Sequence, residues 1–241
     1  MNILITNDDG VGALQLLPLI QWCRKMGEVT VVVPKYEQSA KSHSIEIRSA
    51  FEIRQLLLDE QTPVWTVDST PADCVRFAVS GLKQQFDLVI SGINRGYNLG
   101  HDVMYSGTLA GASEAVAKGI PAVALSTSIK YYEKASRHLD DIFDFLRHNR
   151  IFQMGSLFNI NIPVDPIGFQ ITRQGGLSFR EEFIPVGKDL YFPGGMPLHT
   201  DGSDITRDTD AVAQGYISIT PMTTDRTDLK LLEELRLLKI T

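Results

Sequence analysis

Two adjacent carboxylates follow the first predicted strand of this chain. The apolar run Ile3-Leu4-Ile5 predicts a β-strand, and Asn7-Asp8-Asp9-Gly10 comes directly after it. In an open, mostly parallel sheet, ligands bind beyond the carboxyl ends of the strands, so we expect this acid pair to face a crevice. Neighbouring carboxylates repel each other, and a bound cation relieves that repulsion. The pair therefore indicates a divalent metal site, although the same residues could instead cap the first helix.

Two further loops offer oxygen ligands for the same ion. The loop 34–44 carries three hydroxyls, on Ser39, Ser42 and Ser44, and the segment Ser91-Gly92-Ile93-Asn94 ends on an amide. Carboxylate, hydroxyl and amide oxygens suit a hard cation, so we expect one divalent ion, Mg²⁺ or Mn²⁺. Taken alone, each serine could equally be a solvated loop residue, and Asn94 could be a turn residue beside glycine.

A fourth segment predicts a phosphate site. Tyr105-Ser106-Gly107-Thr108 opens a small-residue helix and follows a loop that contains Asn98. The free N–H groups and the dipole of a helix N-terminus attract phosphate, although tight helix packing would need the same small residues. The segment lacks a Walker lysine and a dinucleotide-type glycine pattern, which disfavours nucleoside triphosphate hydrolysis and NAD binding. His101 lies beside this loop and could protonate a leaving oxygen, but we interpret it as a bystander.

The elements that must position these residues alternate between strand and helix. Hydrophobic periodicity predicts strands at 2–6, 29–33, 64–67, 87–90 and 121–126, helices at 14–26, 74–82, 107–118 and 132–147, and a hairpin or ribbon from 43–48 and 51–54. This pattern predicts an α/β fold with a doubly wound, mostly parallel sheet. We expect a single domain, 1–241, with its α/β core at about 1–162. A hairpin-rich extension at about 163–241 ends in a leucine-rich helix at 228–239, which we expect to pack on the core or on a second subunit.

Composition narrows the possible partners and the compartment. The net charge of −6 argues against a surface for duplex nucleic acid. The two cysteines, Cys23 and Cys74, lie in apolar stretches and suit buried thiols in a reducing compartment. With neither a leader nor a membrane-spanning segment apparent, we expect a cytoplasmic protein that does not associate with membranes.

Taken together, the motifs resemble the survival protein SurE family of metal-dependent 5′/3′-nucleotidases. The matching segments are Asn-Asp-Asp-Gly at 7–10, Ser39, Thr-Pro-Ala-Asp-Cys-Val at 70–75, Ser-Gly-Ile-Asn at 91–94, Asn-Leu-Gly at 98–100, Tyr-Ser-Gly-Thr at 105–108, Asp-Thr-Asp-Ala at 208–211 and Gly-Tyr-Ile-Ser-Ile-Thr-Pro at 215–221. The resemblance implies a Rossmann-like core with a β-rich C-terminal extension, and homodimers or homotetramers in which the C-terminal segment takes part.

The resemblance also assigns roles to individual residues. It implies that Asp8, Asp9, Ser39 and Asn94 are the metal ligands. It implies that Asn98, Ser106, Gly107 and Thr108 lie on the phosphate side. The family usually has arginine before and glycine after the metal-binding serine, whereas this chain has Gln38-Ser39-Ala40. The family's activity is dephosphorylation of nucleoside monophosphates, sometimes also of short polyphosphate.

The sequence therefore predicts a phosphomonoesterase that acts on nucleoside 5′-monophosphates, with 3′-monophosphates and short polyphosphate as further candidate substrates. Asp8 or Asp9 orients the attacking water or accepts its proton, and Asn98 and Ser106 steady the phosphoryl charge. An aspartyl-phosphate formed on Asp8 is the variant mechanism. The alternative function is a non-catalytic, metal-dependent nucleotide-binding protein or a receiver-like regulator.

Overall fold

The computed structural model describes residues 1–60, 62–177, 179–197 and 202–238. Nine of the strands in these ranges form one sheet and two form a separate sheet. The strands are β1 Asn2–Thr6, β2 Glu28–Pro34, β3 Ile53–Leu57, β4 Pro63–Val67, β5 Leu88–Arg95, β6 Ala122–Thr127, β7 Leu157–Ile162, β8 Gly168–Ile171, β9 Phe179–Gly187, β10 Leu190–Pro197 and β11 Tyr216–Met222. The α-helices are α1 Leu16–Cys23, α2 Pro71–Arg76, α3 Gly107–Ala117, α4 Leu139–His148, α5 Asp208–Ala213 and α6 Leu229–Arg236.

The large sheet is doubly wound around its first strand. Its order is β3-β4-β2-β1-β5-β6-β7-β11-β8, and β1 pairs in parallel with both β2 and β5. The chain leaves β1 on the β2 side and later returns to the opposite side at β5. A crevice opens at such a switch point, beyond the carboxyl ends of β1 and β5. The predicted α/β fold class is confirmed.

The core lies on both faces of this sheet. Alternate side chains of a strand point to opposite faces, so Ile3 and Ile5 join one buried cluster and Leu4 joins the other. Helices α1 and α4 supply the first cluster, and α2 and α3 supply the second. With both faces covered, the edge formed by the strand ends is where polar side chains can gather without disturbing the core.

The predicted ribbon of 43–48 with 51–54 is wrong. Residues 43–48 form neither helix nor strand, and β3 pairs antiparallel with β4 instead. The reason lies in side-chain hydrogen bonds to the backbone of the 43–48 segment. The Asp73 carboxylate accepts from the Glu46 N–H at 2.8 Å, and the Thr70 hydroxyl donates to the Ser44 carbonyl at 2.7 Å. These bonds satisfy backbone groups that a strand partner would otherwise have paired.

Three other predicted elements differ in extent. The strand expected at 87–90 continues as β5 to Arg95, through the segment that ends on Asn94. The helix expected at 74–82 is α2 followed by a wider π-turn at 77–81. The helix expected at 132–147 begins as a 3₁₀ segment at 129–138, which Ser128 caps, before α4 starts.

The chain beyond residue 162 contributes to both sheets. Strand β11 pairs antiparallel with β7 and parallel with β8, so the large sheet continues past the predicted core boundary. Strands β9 and β10 form a two-stranded antiparallel sheet, the β9–β10 hairpin. Helix α6 buries none of its residues, so packing on a second subunit stays a prediction for it. The predicted end of this helix, Lys239, is outside the described residues. Across the described ranges, no helix has the length and apolarity needed to cross a membrane.

Candidate active site

The strand ends at the switch point line one cavity of about 890 Å³. Its walls include these residues that the sequence singled out: Asp8, Ser39, Asn94, Asn98, His101 and Ser106. Asp8 follows β1, Asn94 lies near the end of β5, and Ser106 immediately precedes α3. Parallel pairing of β1 with β5 brings the first two together, since the carboxyl ends of both strands meet at the same edge.

Asp8 is buried and held by a hydrogen bond from Thr108. Its side chain is 4% exposed, and the Thr108 hydroxyl donates to Asp8 Oδ1 at 2.6 Å. Burial is the main reason that the pKa of Asp8 rises to about 6; the bond from Thr108 opposes the rise and the charge of Asp9 adds to it. Because the Thr108 hydrogen is given to Asp8, the structure places this hydroxyl in support of the acid pair, and its contact with phosphate stays a prediction.

Asp9 is held by the backbone after β5. The Arg95 backbone N–H donates to Asp9 Oδ2 at 3.0 Å, and the Tyr132 hydroxyl lies near enough to the carboxylate to influence its pKa. Burial is the largest effect on this carboxyl and raises its pKa, while the bond from Arg95 opposes the rise. Sequence analysis did not predict the role of Tyr132, which comes from the 3₁₀ segment more than one hundred positions away along the chain.

Asn94 is aimed by a bulge in β5. The register of β5 against β6 shifts between Ser91 and Asn94. Gly92 lies at φ +135°, and a Cβ there would come within 2.4 Å of the Leu125 carbonyl oxygen, so the position requires glycine. The Asn94 amide nitrogen donates to the Gly96 carbonyl at 2.9 Å. Its carbonyl oxygen is thereby left as the ligand atom that this side chain can offer.

Ser39 lies on the exposed part of the loop after β2. Its hydroxyl donates to Glu37 Oε1 at 2.6 Å. A hydroxyl that donates its hydrogen keeps two oxygen lone pairs, so Ser39 can still ligate a cation. The loop is anchored to the far side of the cavity, because the Ser42 N–H donates to the Tyr105 carbonyl at 3.0 Å.

Asn98 is held in a buried polar network that the sequence analysis missed. Its side-chain nitrogen donates to Ser126 Oγ at 2.8 Å and to Thr108 Oγ1 at 3.4 Å. Its backbone N–H donates to Asn161 Oδ1 at 2.9 Å, and its carbonyl accepts from the amide nitrogens of Asn159 and Asn161. The available signal was Asn-Ile-Asn inside the apolar strand β7, because two buried asparagines spaced by two point to one face of the sheet.

The N-terminus of α3 approaches Asp8 closely. Ser106 caps the helix, since its Oγ accepts from the Leu109 N–H at 3.0 Å, and the hydroxyl hydrogen remains free to donate. A Cβ on Gly107 would lie 2.9 Å from the Asp8 Cβ, so only glycine allows the helix to begin here. The predicted juxtaposition of a helix N-terminus with the acid pair is therefore present.

Asp208, which the sequence analysis matched to the family without giving it a role, ties the C-terminal part of the chain to this site. Its buried carboxylate accepts from the N–H groups of Gly100 at 3.1 Å and Gly175 at 2.7 Å. The Gln174 side chain donates to the Gly100 carbonyl at 2.9 Å, and the His101 N–H donates to the Gly176 carbonyl at 3.1 Å. The turn at Gly100 is thus clamped between the catalytic edge of the sheet and the later chain.

The donor set fits a hard divalent cation. Among the described residues, no group of three or more His, Cys, Asp and Glu is placed to hold a metal. A cation at the acid pair would therefore need neutral oxygens, which Asn94 and Ser39 can provide. Both acids have a raised pKa because they are partly removed from water, and a cation between them would favour their charged forms.

The fold and the site define a Rossmann-like α/β protein in which Asp8, the first residue of the acid pair, and the N-cap of α3 line one cavity at the topological switch point. The chain belongs to the survival protein SurE family: the family profile matches residues 3–181. It is 39% identical over 249 residues to the 5′-nucleotidase SurE of Thermosipho melanesiensis, covering 97% of both chains. It is 38% identical to the 5′-nucleotidase SurE of Desulforudis audaxviator, covering 98% of this chain and 96% of that one. The crystal structure of the SurE protein from Aquifex aeolicus superimposes with a TM-score of 0.82 at 31% identity and covers 98% of both chains. The predicted family is confirmed.

Proposed function

We propose that this chain is a 5′-nucleotidase, a hydrolase that converts a nucleoside 5′-monophosphate and water to a nucleoside and phosphate. The observation that carries the proposal is the hydrogen-bonded chain Asp8, Thr108 and Asn98, which fixes Asp8 beside the N-terminus of α3. Relatives that match 97% of the chain bear the name 5′-nucleotidase SurE.

One divalent cation, Mg²⁺ or Mn²⁺, is expected at Asp8, Asp9, Ser39 and Asn94. When bound, such an ion polarises the phosphoryl group and lowers the pKa of water. The protein's own contribution is to hold these oxygens in place, through Thr108 for Asp8 and through the Arg95 N–H for Asp9. Held in this way, the carboxylates need little reorganisation when substrate arrives.

The phosphate end of the substrate is expected at the start of α3. Ser106 can donate its hydroxyl hydrogen to a phosphoryl oxygen, and the positive end of the helix dipole favours the same negative charge. Asn98 lines the cavity from a rigid position and steadies the charge that grows on the equatorial oxygens.

The chemical step is an in-line displacement at phosphorus. The water oxygen forms a bond to phosphorus, the bond from phosphorus to the 5′ oxygen breaks, and the departing oxygen takes a proton from solvent to become the nucleoside hydroxyl. Asp8 or Asp9 accepts the proton that the water loses. An aspartyl-phosphate on Asp8 is the competing route, and acid quenching of enzyme during turnover of ³²P-labelled substrate would trap it.

The experiment that tests this function is phosphate release from nucleoside 5′- and 3′-monophosphates, ATP and polyphosphate. Each is assayed with Mn²⁺, with Mg²⁺ and with chelator, using the native chain, Asp9→Asn and the exposed control Asp144→Asn. We expect metal-dependent release from 5′-monophosphates that Asp9→Asn abolishes and Asp144→Asn preserves. Metal-dependent nucleotide binding without release would overturn the enzyme assignment and favour a binding protein.

Several finer properties belong to the same proposal. We expect activity on 3′-monophosphates and short polyphosphate, a cytoplasmic location, and association with neither duplex nucleic acid nor membranes. We also expect a homodimer or homotetramer. Exposed apolar side chains on the β9–β10 hairpin and α6 support self-association. Light scattering after gel filtration measures the subunit number directly.

A further inference from the structure

The cavity lining combines polar and apolar side chains. Asp8, Asn94, Asn98 and Ser106 supply polar groups from the strand ends and the start of α3. Met104, Tyr105, Leu177, Phe183 and Pro193 supply an apolar part, and Arg180, Glu181 and Glu182 of the hairpin also line the cavity. A volume of about 890 Å³ lies in the range that accommodates a whole small-molecule ligand. The apolar part is thus available to the rest of a phosphate ester, beyond its phosphoryl group.

Tyr105 presents an exposed ring from a fixed backbone. Its N–H donates to the Asp102 carbonyl at 3.0 Å, and its own carbonyl accepts from the Ser42 N–H at 3.0 Å. The residue is 49% exposed and directly precedes Ser106, the proposed phosphate donor. The ring is therefore located one residue from the phosphate end of the cavity.

Phe183 presents a second aromatic ring from the β9–β10 hairpin. It is 67% exposed and pairs across the hairpin with Pro193, which lines the same cavity. The next cross-strand pair joins Glu182 to Gly194, and both of these residues also line the cavity. Phe183 also lies beyond residue 181, where the match to the family profile ends.

We propose that Tyr105 and Phe183 form a stacking subsite for the nucleobase of the substrate. This inference rests on the proposed nucleotidase function and extends it from the phosphate to the nucleoside. Bases stack on aromatic rings through their π-faces, and every base has such a face. The subsite therefore accepts purines and pyrimidines alike and discriminates against phosphate esters that lack a base.

The test compares AMP and CMP with ribose 5-phosphate, which has the same ester but no base. Values of kcat and KM are measured for the native chain, Phe183→Leu, Tyr105→Leu and the ring-preserving Phe183→Tyr. Removing one stacking ring is expected to lower kcat/KM for AMP and CMP by roughly 5- to 150-fold, mainly through KM. The value for ribose 5-phosphate remains unchanged, and Phe183→Tyr behaves like the native chain.

Phe192→Leu is the matched control. Phe192 is on the same hairpin and is 59% exposed, but it pairs with Ile184, one position away in register from the pair of Phe183 with Pro193. Phe192→Leu is expected to leave kcat/KM unchanged for AMP, CMP and ribose 5-phosphate. An equal loss for AMP and ribose 5-phosphate in Phe183→Leu, or the same loss in Phe192→Leu, would overturn the subsite.

Adenosine binding separates this inference from the proposed reaction. Calorimetry measures the affinity for adenosine and for ribose without turnover, so it tests the subsite even if the native chain releases no phosphate. We expect adenosine to bind more tightly than ribose and to lose that advantage in Phe183→Leu and Tyr105→Leu. Equal adenosine affinity in all variants would contradict the proposal, whatever the outcome of the phosphate assay.

Discussion

The polar floor of the cavity and the β9–β10 hairpin follow opposite principles of construction. On the floor, Asp8, Asn98 and Thr108 are buried and joined by hydrogen bonds to one another and to neighbouring strands. On the hairpin, apolar residues such as Phe183 and Val186 are mostly exposed, and the two strands form a sheet of their own. The reacting end of the cavity is thus preorganised by the fold, while the far end is on an element with little packing of its own.

The largest expected effect comes from removing charge on the floor. Asp8→Asn keeps the size of the side chain and a hydrogen-bond acceptor for Thr108, but it removes a charge from the proposed cation and phosphoryl site. We expect kcat/KM for nucleoside monophosphates to fall on the order of 10³-fold. If kcat/KM falls no further in Asp8→Asn than in Phe183→Leu, the floor and the hairpin contribute equally to catalysis. That result would contradict the view that the reacting end alone is preorganised by the fold.

The same substitution should stabilise the metal-free protein at neutral pH. The pKa of Asp8 is about 6 in the folded chain against an ordinary 3.8, so between those values the unfolded chain loses its proton first. The free energy of unfolding therefore falls as pH rises through this window, by about 3 kcal/mol in total. The asparagine introduced in Asp8→Asn does not titrate, so the free energy of unfolding of this variant, relative to the native chain, should rise by that amount between pH 4 and pH 7.

Urea unfolding in chelator at several pH values measures this difference. Asp144→Asn serves as the control, because Asp144 is exposed and should show no comparable gain. If the stability difference between Asp8→Asn and the native chain stays constant with pH, Asp8 has the same pKa in the folded and unfolded chain. Burial of Asp8 would then not destabilise the fold at neutral pH.

Thr108→Val tests the hydrogen-bonded support of the floor. The change keeps the shape of the side chain but removes the hydroxyl that donates to Asp8 and accepts from the Asn98 side chain. Losing a group that orients a metal ligand typically costs about 10- to 100-fold in affinity or activity, and we expect that loss here. Thr108→Ser, which retains the hydroxyl, should recover most of the activity. Mn²⁺ titration followed by electron paramagnetic resonance provides a second readout, and unchanged Mn²⁺ affinity in Thr108→Val would remove the supporting role.

The sequence was sufficient to locate the residues at the ends of parallel strands. Asp8 and Asn94 could be placed together because the carboxyl ends of β1 and β5 necessarily meet at one edge once the sheet is parallel. Ser106 could be placed at the start of α3 because the small-residue helix follows it directly in the chain, and its contact with Leu109 is local. The alternation of strands and helices likewise sufficed to predict the α/β fold, which the structure confirms.

Contacts between distant segments could not be read in this way. Tyr132 approaches Asp9 and Asn161 accepts from the Asn98 N–H only after the sheet has formed. The Asn-Ile-Asn pattern indicates that the Asn161 side chain is buried, but it does not identify Asn98 as the partner. The incorrect ribbon at 43–48 has the same origin, since the Asp73 side chain that bonds its backbone belongs to α2. Tertiary hydrogen bonds decided these cases, and periodicity does not report them.

The smallest expected effect on stability comes from a substitution on the hairpin outside the residues that line the cavity. Val186 is 63% exposed, and Val186→Thr keeps a β-branched side chain that suits a strand. For the single chain, we expect the free energy of unfolding to change by less than about 0.5 kcal/mol, because an exposed side chain loses little packing. Thermal unfolding at two protein concentrations, tenfold apart, makes the test informative about assembly. If Val186→Thr lowers Tm relative to the native chain by an amount that depends on protein concentration, a second copy of the chain covers Val186. The hairpin would then be stabilised by the partner subunit, whereas the floor is stabilised by the sheet beneath it.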